Sequence, residues 1–217
     1  MPAYETIVIE AGKKMSRLSL TVSTWGNISA RDPKTGNVYL TPSGMDYENC
    51  TESDIVVFNA AGRRIKGRRK PSIEKDIHLL IYERNSHVNA VIHTHAMYST
   101  VLAAAKLTLP VITEEFAQTI GGEVVCSEYA IPGTPLLAEY VSKVIEDGRR
   151  AVFLPSHGAL CIGENMDIAF KACGVLEKAS EVYIKVKSMG LEPRIIPEED
   201  VGHMFRFFSN QYGQAAK

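Results

Sequence analysis

This chain has no excess of charge of either sign: 24 Lys and Arg against 25 Asp and Glu leave a formal net charge of −1. Binding to nucleic acid or an anionic membrane needs a positive excess that neutralises phosphates, so neither partner is expected. No apolar run approaches the ~20 residues of a membrane span. Met1 to Glu10 lack a basic stretch followed by an apolar one, so no secretory signal is expected. Cysteine is sparse, and Cys50, Cys126, Cys161 and Cys173 show no C-x-x-C spacing. That pattern excludes a disulfide framework and a zinc finger, and it points to the reducing cytoplasm. The P-loop pattern is absent, as are repeats of solenoid length. What is present is ordinary globular composition, 45% hydrophobic and 23% charged, enough to bury one core in a single domain over residues 1–217.

Periodicity gives the coarse architecture. Glu5 to Leu18 carries Ile7, Ile9, Ala11, Met15 and Leu18 in a helix-like pattern. Asp32-Pro33-Lys34-Thr35-Gly36-Asn37 is turn chemistry, predicting a hairpin that ends in Val38–Thr41. Ile55–Phe58 and Val88–His93 read as strands, and Glu74–Glu83, Ser99–Ala105 and Leu136–Ile145 as helices. Ala151–Leu154 and Ala159–Ile162 read as two more strands. Over Asp167–Met189, Ile168, Ala172, Val175, Ala179, Val182, Val186 and Met189 predict one long helix with a continuous apolar stripe. Strands alternate with helices, so the class is α/β, with an antiparallel portion early in the chain. Six positive charges fall within the eight residues Arg63 to Lys70, which read as a solvated hairpin arm.

Histidine carries the candidate chemistry. His93-Thr94-His95 closes the apolar strand Ala90-Val91-Ile92, and side chains at i and i+2 of a strand share one face, ~6.5–7 Å apart at Cα. His157 follows a second buried strand and is backed by Gly158. Three neutral imidazoles around one ion, with a position left open, suit catalytic zinc. The same residues also read as ordinary strand-end histidines. His78, His87 and His203 read as surface or helix-packing residues. Glu74 stands in the first turn of a helix that Ser72 could cap, where an acid is favoured by the dipole alone. Gly26-Asn27, Ser43-Gly44 and Ser72 offer donors suited to an anion, though each is a common turn.

Taken in order, Thr24–Ser29, Leu40–Met45, Pro71–Glu74, His93–His95 and Ser156–Gly158 resemble the class II aldolase/adducin family, in its fuculose-1-phosphate aldolase branch. The resemblance implies a mixed β-sheet flanked by helices in three layers, and a homotetramer with active sites between subunits. It implies Zn2+ (with Mn2+ or Co2+ as substitutes) on His93, His95 and His157. Glu74 then matches the family's acidic residue, which can approach the metal in the empty site and serves as general acid/base with substrate bound, and Gly26, Asn27, Ser43, Gly44 and Ser72 match its phosphate pocket. Cleaving a carbon–carbon bond beside a ketone leaves an enediolate, whose charge a Lewis-acid metal can carry without a Schiff-base lysine.

Two positions depart from the family pattern: Ile73 stands where the fuculose-phosphate enzymes carry a second serine of the phosphate pocket, a loss for which Arg68 or Lys70 could compensate, and Glu115 where they carry a proton-donating tyrosine. Glu115 is therefore a candidate for a different aldehyde partner or proton route, while Phe207, Phe208 and Tyr212 are candidates to close over a neighbouring subunit's site. The reading implied is cleavage of a small phosphorylated sugar, a ketose 1-phosphate such as fuculose 1-phosphate or a 5-deoxy- or 5-methylthio-ribulose 1-phosphate, to dihydroxyacetone phosphate and an aldehyde. The alternatives are decarboxylation of 3-oxo-tetronate 4-phosphate, sugar-phosphate 4-epimerisation, and a metal-free adducin-like interaction protein.

Overall fold

A computed structural model describes residues 3–146 and 149–210, and Tyr212 lies outside them. In chain order the elements are α1 (Tyr4–Arg17), β1 (Asn27–Arg31), β2 (Val38–Leu40), β3 (Val56–Phe58), β4 (Arg64–Lys66), α2 (Lys75–Arg84), β5 (Ala90–Thr94), α3 (Met97–Ala104), α4 (Glu114–Ile120), α5 (Pro135–Glu146), β6 (Ala151–Leu154), β7 (Gly158–Gly163), α6 (Met166–Ser188) and α7 (Glu198–Asn210). The strands form one seven-stranded sheet in the order β4-β3-β2-β1-β5-β7-β6. Every ladder between these strands is antiparallel. The sheet is mixed only through one parallel bridge, Cys126 to Phe153, at its β6 edge.

Helices cover both faces, giving three layers. Alternation along each strand decides which side chains meet which helices. On one face Ile28, Ile92, Phe153 and Cys161 pack with residues of α1, α3, α4 and α6. On the other, Val91, Val152, Leu160 and Ile162 pack with Ile77 and Ile81 of α2 and Leu137, Val141 and Ile145 of α5. Both faces of β5 are thus covered, and all five of its residues are buried. All four cysteines are free thiols, as their spacing predicts. Among the described residues, no helix is long and apolar enough to cross a membrane.

The expected elements are present with ends shifted by a residue or two, and three features differ. The buried face of α6 is Ala169, Phe170, Ala172, Cys173, Leu176, Ala179 and Ser180. It is rotated from the predicted stripe, so Ile168, Val175, Val182 and Val186 lie half-buried at its flank and Met189 is 69% exposed. Bulky Phe170 and Leu176 turn toward the sheet and carry the small residues with them. Helices α4 and α7 were not predicted. The first has seven residues, too few to show a period, and is set by Thr113, whose hydroxyl accepts from the Phe116 amide, and by left-handed Gly121. The second opens on Glu198, Glu199 and Asp200, charges that favour a helix N-terminus but interrupt an apolar pattern. The basic arm is as expected: Arg64, Ile65 and Lys66 of β4 are all exposed at the sheet edge.

Candidate metal centre and active site

The centre of the sheet builds the site. Asn27 and His93 are direct cross-strand partners of β1 and β5, on the sheet face that α2 covers. His95 lies one residue beyond β5, its amide donating to the Leu20 carbonyl. His157 sits in the three-residue turn between β6 and β7, where Ser156 holds a left-handed φ of 56°. Two glycines allow the close approach. A Cβ on Gly158 would lie 2.3 Å from the Thr94 carbonyl oxygen, and one on Gly26 would lie 2.6 Å from the His93 carbonyl oxygen.

Together these elements aim three imidazoles at one point. His93 Nε2 lies 3.0 Å from His95 Nε2 and 3.3 Å from His157 Nε2. His93 Nδ1 is 3.0 Å from the Ala159 carbonyl, an acceptor only, so Nδ1 carries the proton and Nε2 keeps its lone pair. Burial, with the neighbouring histidines, pushes His95 down to about 3 and His157 down to about 4. The ligand atoms of His93, His95 and His157 fall within 4.8 Å of one another, close enough to share one ion. The donor set and its charge state fit a divalent metal such as zinc.

Glu74 completes the cluster. It is the N-cap of α2 and only 5% exposed. Its Oε2 accepts from Asn27 Nδ2 at 2.8 Å and lies 3.4 Å from His93 Nε2. Its Oε1 is buried without a hydrogen-bond donor, 3.5 Å from His157 Nε2. Burial raises the carboxyl pKa, but His93, His157 and the Asn27 bond together outweigh it and hold the group below its ordinary value. Ser72 does not cap α2 as a helix N-cap. It accepts from the Glu74 amide at 3.2 Å and fixes the turn that delivers the carboxylate.

A cavity of about 1140 Å³ opens over these groups, and Gly26, Asn27, Ser43, Gly44, Ser72, Glu74, His95 and His157 all line it. Segments 41–44 and 70–72 run side by side through the Pro42–Pro71 bridge and the Ser43 amide donating to the Lys70 carbonyl. That pairing brings Ser43-Gly44 next to Ser72. No lysine or arginine is among the lining residues, so the donors for an anion here are neutral. Asn27 also serves the carboxylate: its side chain bridges Glu74 and His78. Ile73, 63% exposed, forms part of an apolar wall with Trp25, Met97, Tyr129 and Leu137.

Glu115 is not brought to this cavity. It sits exposed on α4, where Lys178 Nζ donates to its carboxylate at 2.8 Å. Phe207 and Phe208 border a separate, smaller cavity beside α4 and α7. His78, which reads from sequence as a surface or helix-packing residue, is completely buried, held neutral with its pKa pushed down by burial to about 3, and bonded to Ser29. Its signal was the i, i+4 spacing from Glu74, but only the fold shows what the shared helix face meets.

Known proteins agree with this arrangement. The family described as Class II Aldolase and Adducin N-terminal domain matches residues 6–184. A 5-deoxy-D-ribulose 1-phosphate aldolase of Bacillus thuringiensis serovar kurstaki is 36% identical over 207 residues, 95% of either chain. A 5-methylthioribulose-1-phosphate/5-deoxyribulose-1-phosphate aldolase of Rhodospirillum rubrum is 31% identical, covering 97% of this chain and 92% of its own. A solved L-fuculose 1-phosphate aldolase superposes with a TM-score of 0.91 at 36% identity, covering 96% of this chain and 98% of that one. With its five motifs converging on one cavity and this match over most of its length, the chain belongs to the class II aldolase and adducin family.

Proposed function

We propose that this protein is a metal-dependent aldolase that cleaves a ketose 1-phosphate to dihydroxyacetone phosphate and an aldehyde. The observation that carries the reading is the Glu74 carboxylate with one free, buried oxygen beside three converging imidazoles. His93, His95 and His157 would hold zinc, which when bound supplies a Lewis acid for the negative charge that develops beside the ketone. Glu74 moves a proton at Oε1, the oxygen that no donor occupies, while Asn27 pins Oε2. The Ser43 and Ser72 hydroxyls and the backbone around Gly26 and Gly44 bind the phosphate as neutral donors. We assign Glu115 no part within its own chain's cavity, since Lys178 neutralises it on the surface.

The aldehyde end of the substrate faces the apolar wall. Of the apolar side chains that line the cavity, Met97, Tyr129 and Leu137 suit a methyl or thioether terminus better than a hydroxylated one, while Ile73 stands beside the phosphate donor Ser72. This favours 5-deoxyribulose 1-phosphate, whose products are dihydroxyacetone phosphate and acetaldehyde, or its 5-methylthio analogue. The proposal extends to one catalytic domain over residues 1–217, a cytoplasmic setting, and a homotetramer. Assembly is supported by the apolar rim of the cavity, where Val22 is 70%, Met97 69% and Trp25 62% exposed.

The test is a coupled assay for dihydroxyacetone phosphate on a panel of ketose 1-phosphates, with and without zinc. Zinc-dependent product from the 5-deoxy or 5-methylthio substrates, ahead of fuculose 1-phosphate, is expected. Silence across the panel with zinc bound would overturn the aldolase reading in favour of the decarboxylase. Failure to take up zinc would favour the adducin-like interaction protein. Sedimentation as a monomer at micromolar concentration would contradict the tetramer.

A further inference from the structure

Behind the Glu74 carboxylate lies a chain of polar side chains of which Asn27 alone lines the cavity. Glu74, His78 and Tyr82 are spaced i, i+4, i+8, so they form one row along α2. Asn27 and Ser29 are spaced i, i+2 on β1, so they form a row on the facing side of the strand. The helix advances about 6 Å over four residues and the strand about 6.6 Å over two, so the rows interlock without drift. Ser29 and His78 are wholly buried, and Asn27 and Tyr82 are each 4% exposed.

The directions in this row follow from its Asn27–Glu74 end, while at the Tyr82 end the two hydroxyls of Ser29 and Tyr82 lie 2.8 Å apart and either can donate. At one end the Tyr82 hydroxyl lies 3.0 Å from the Ser29 carbonyl, which can only accept. At the other, Asn27 Nδ2 donates to Glu74 Oε2 at 2.8 Å. Its Oδ1 then faces His78 Nε2, which must donate. His78 Nδ1, left with its lone pair, accepts from the Ser29 hydroxyl at 2.6 Å. A side chain without a donor at position 78 would free the Asn27 amide to turn and set its own oxygen against the carboxylate.

We infer that His78 is a positioning residue for the reaction: in its Nε2–H tautomer it locks the Asn27 amide, which pins Glu74 Oε2 and leaves Oε1 as the one oxygen that exchanges protons with substrate. The inference rests on the aldolase reading for its consequence in turnover, though not for the tautomer itself.

Two measurements test it. Long-range 15N–1H spectra of histidine-labelled protein are expected to show His78 as the Nε2–H tautomer, with His93 as the opposite, Nδ1–H form for comparison. His78 in the Nδ1–H form would overturn the assignment. In kinetics, His78→Leu is expected to lower kcat by about 10-fold or more while KM moves by less than about threefold, and His78→Gln, which restores a donor, to recover most of the loss. In an Asn27→Ala background the His78→Leu change is expected to add less than about twofold, because its effect passes through Asn27. Full additivity, or no recovery with Gln, would overturn the positioning role. If the wild type cleaves no ketose 1-phosphate, the aldolase reading falls while the spectra still decide the His78 lock. If His78→Leu fails to fold, the Gln variant and the wild-type spectra carry the decision.

Discussion

Two regions of this molecule are dense in titratable side chains, and they behave oppositely. Around the cavity floor, Glu74, His78 and His93 are each no more than 5% exposed. On the edge hairpin, Arg63 to Lys70 put six cations into eight residues, and those that find a carboxylate stay exposed themselves, Lys66 on the buried Glu5 at 2.6 Å and Arg69 on the buried Asp54 at 2.7 Å. The arm holds its charges in water and is little constrained by them. The floor removes its groups from water and so fixes their protonation, tautomer and direction. Charge density alone does not mark a site; burial with unsatisfied lone pairs does.

The largest effect that would break this contrast is at Glu74. Glu74→Gln is expected to keep bound zinc, since the three imidazoles remain, and to lower turnover by ~10²-fold or more. Metal analysis and steady-state kinetics on the same sample check both halves. Unchanged turnover would remove the carboxylate from the reaction and reduce the floor to a packed polar cluster.

An intermediate effect separates the regions by pH. Buried His78, His95 and His157 have folded values near 3 to 4, below the ~6.5 of an unfolded histidine. Between those values the unfolded chain binds more protons than the folded one, so stability falls as pH falls through that window. For His78 alone, going from pH 7 to pH 5 costs roughly 2 kcal/mol. Urea midpoints of chelator-treated protein at the two pH values measure it, and a flat profile would contradict neutral burial. The cations of the basic arm stay charged throughout, and its partners Asp54, held down to about 2, and Glu5, also lowered, add to the fall only toward the acid end of the window.

The smallest effect is on the arm. Lys66→Ala removes a pair whose lysine is 60% exposed, and stability is expected to change by less than about 1 kcal/mol with turnover unaltered. Thermal unfolding and the aldolase assay together check it. A larger loss would mean that the arm supports the sheet edge and is not merely solvated.

The same contrast explains what was legible in the sequence. The pairing of His93 with His95 follows from strand period, and the glycine behind His157 signals a close approach, so the three histidines could be singled out, while their union as one ligand set comes from the resemblance to the family. The bond between Asn27 and Glu74 spans 47 residues, and that between Ser29 and His78 spans 49. No local pattern encodes such contacts, which exist because β1 lies beside β5 under α2. For this reason Asn27 reads first as a phosphate donor and His78 as packing. The α6 stripe drifted because a sequence period counts Ile, Val and Met alike, whereas the sheet selects by shape, admitting Ala172 and Cys173 against β5 and β7 and leaving Met189 exposed. Glu115, aligned with a tyrosine by motif order, lies on the surface because α4 turns that position toward Lys178.

The most direct test of the central claim is a titration of chelator-stripped protein with zinc, following dihydroxyacetone phosphate release from 5-deoxyribulose 1-phosphate. Activity is expected to rise from near zero and to break at one equivalent per chain, with His95→Ala abolishing the rise. Activity that is present without metal, or that stays absent after one equivalent is bound, would contradict a zinc-dependent aldolase centred on His93, His95 and His157.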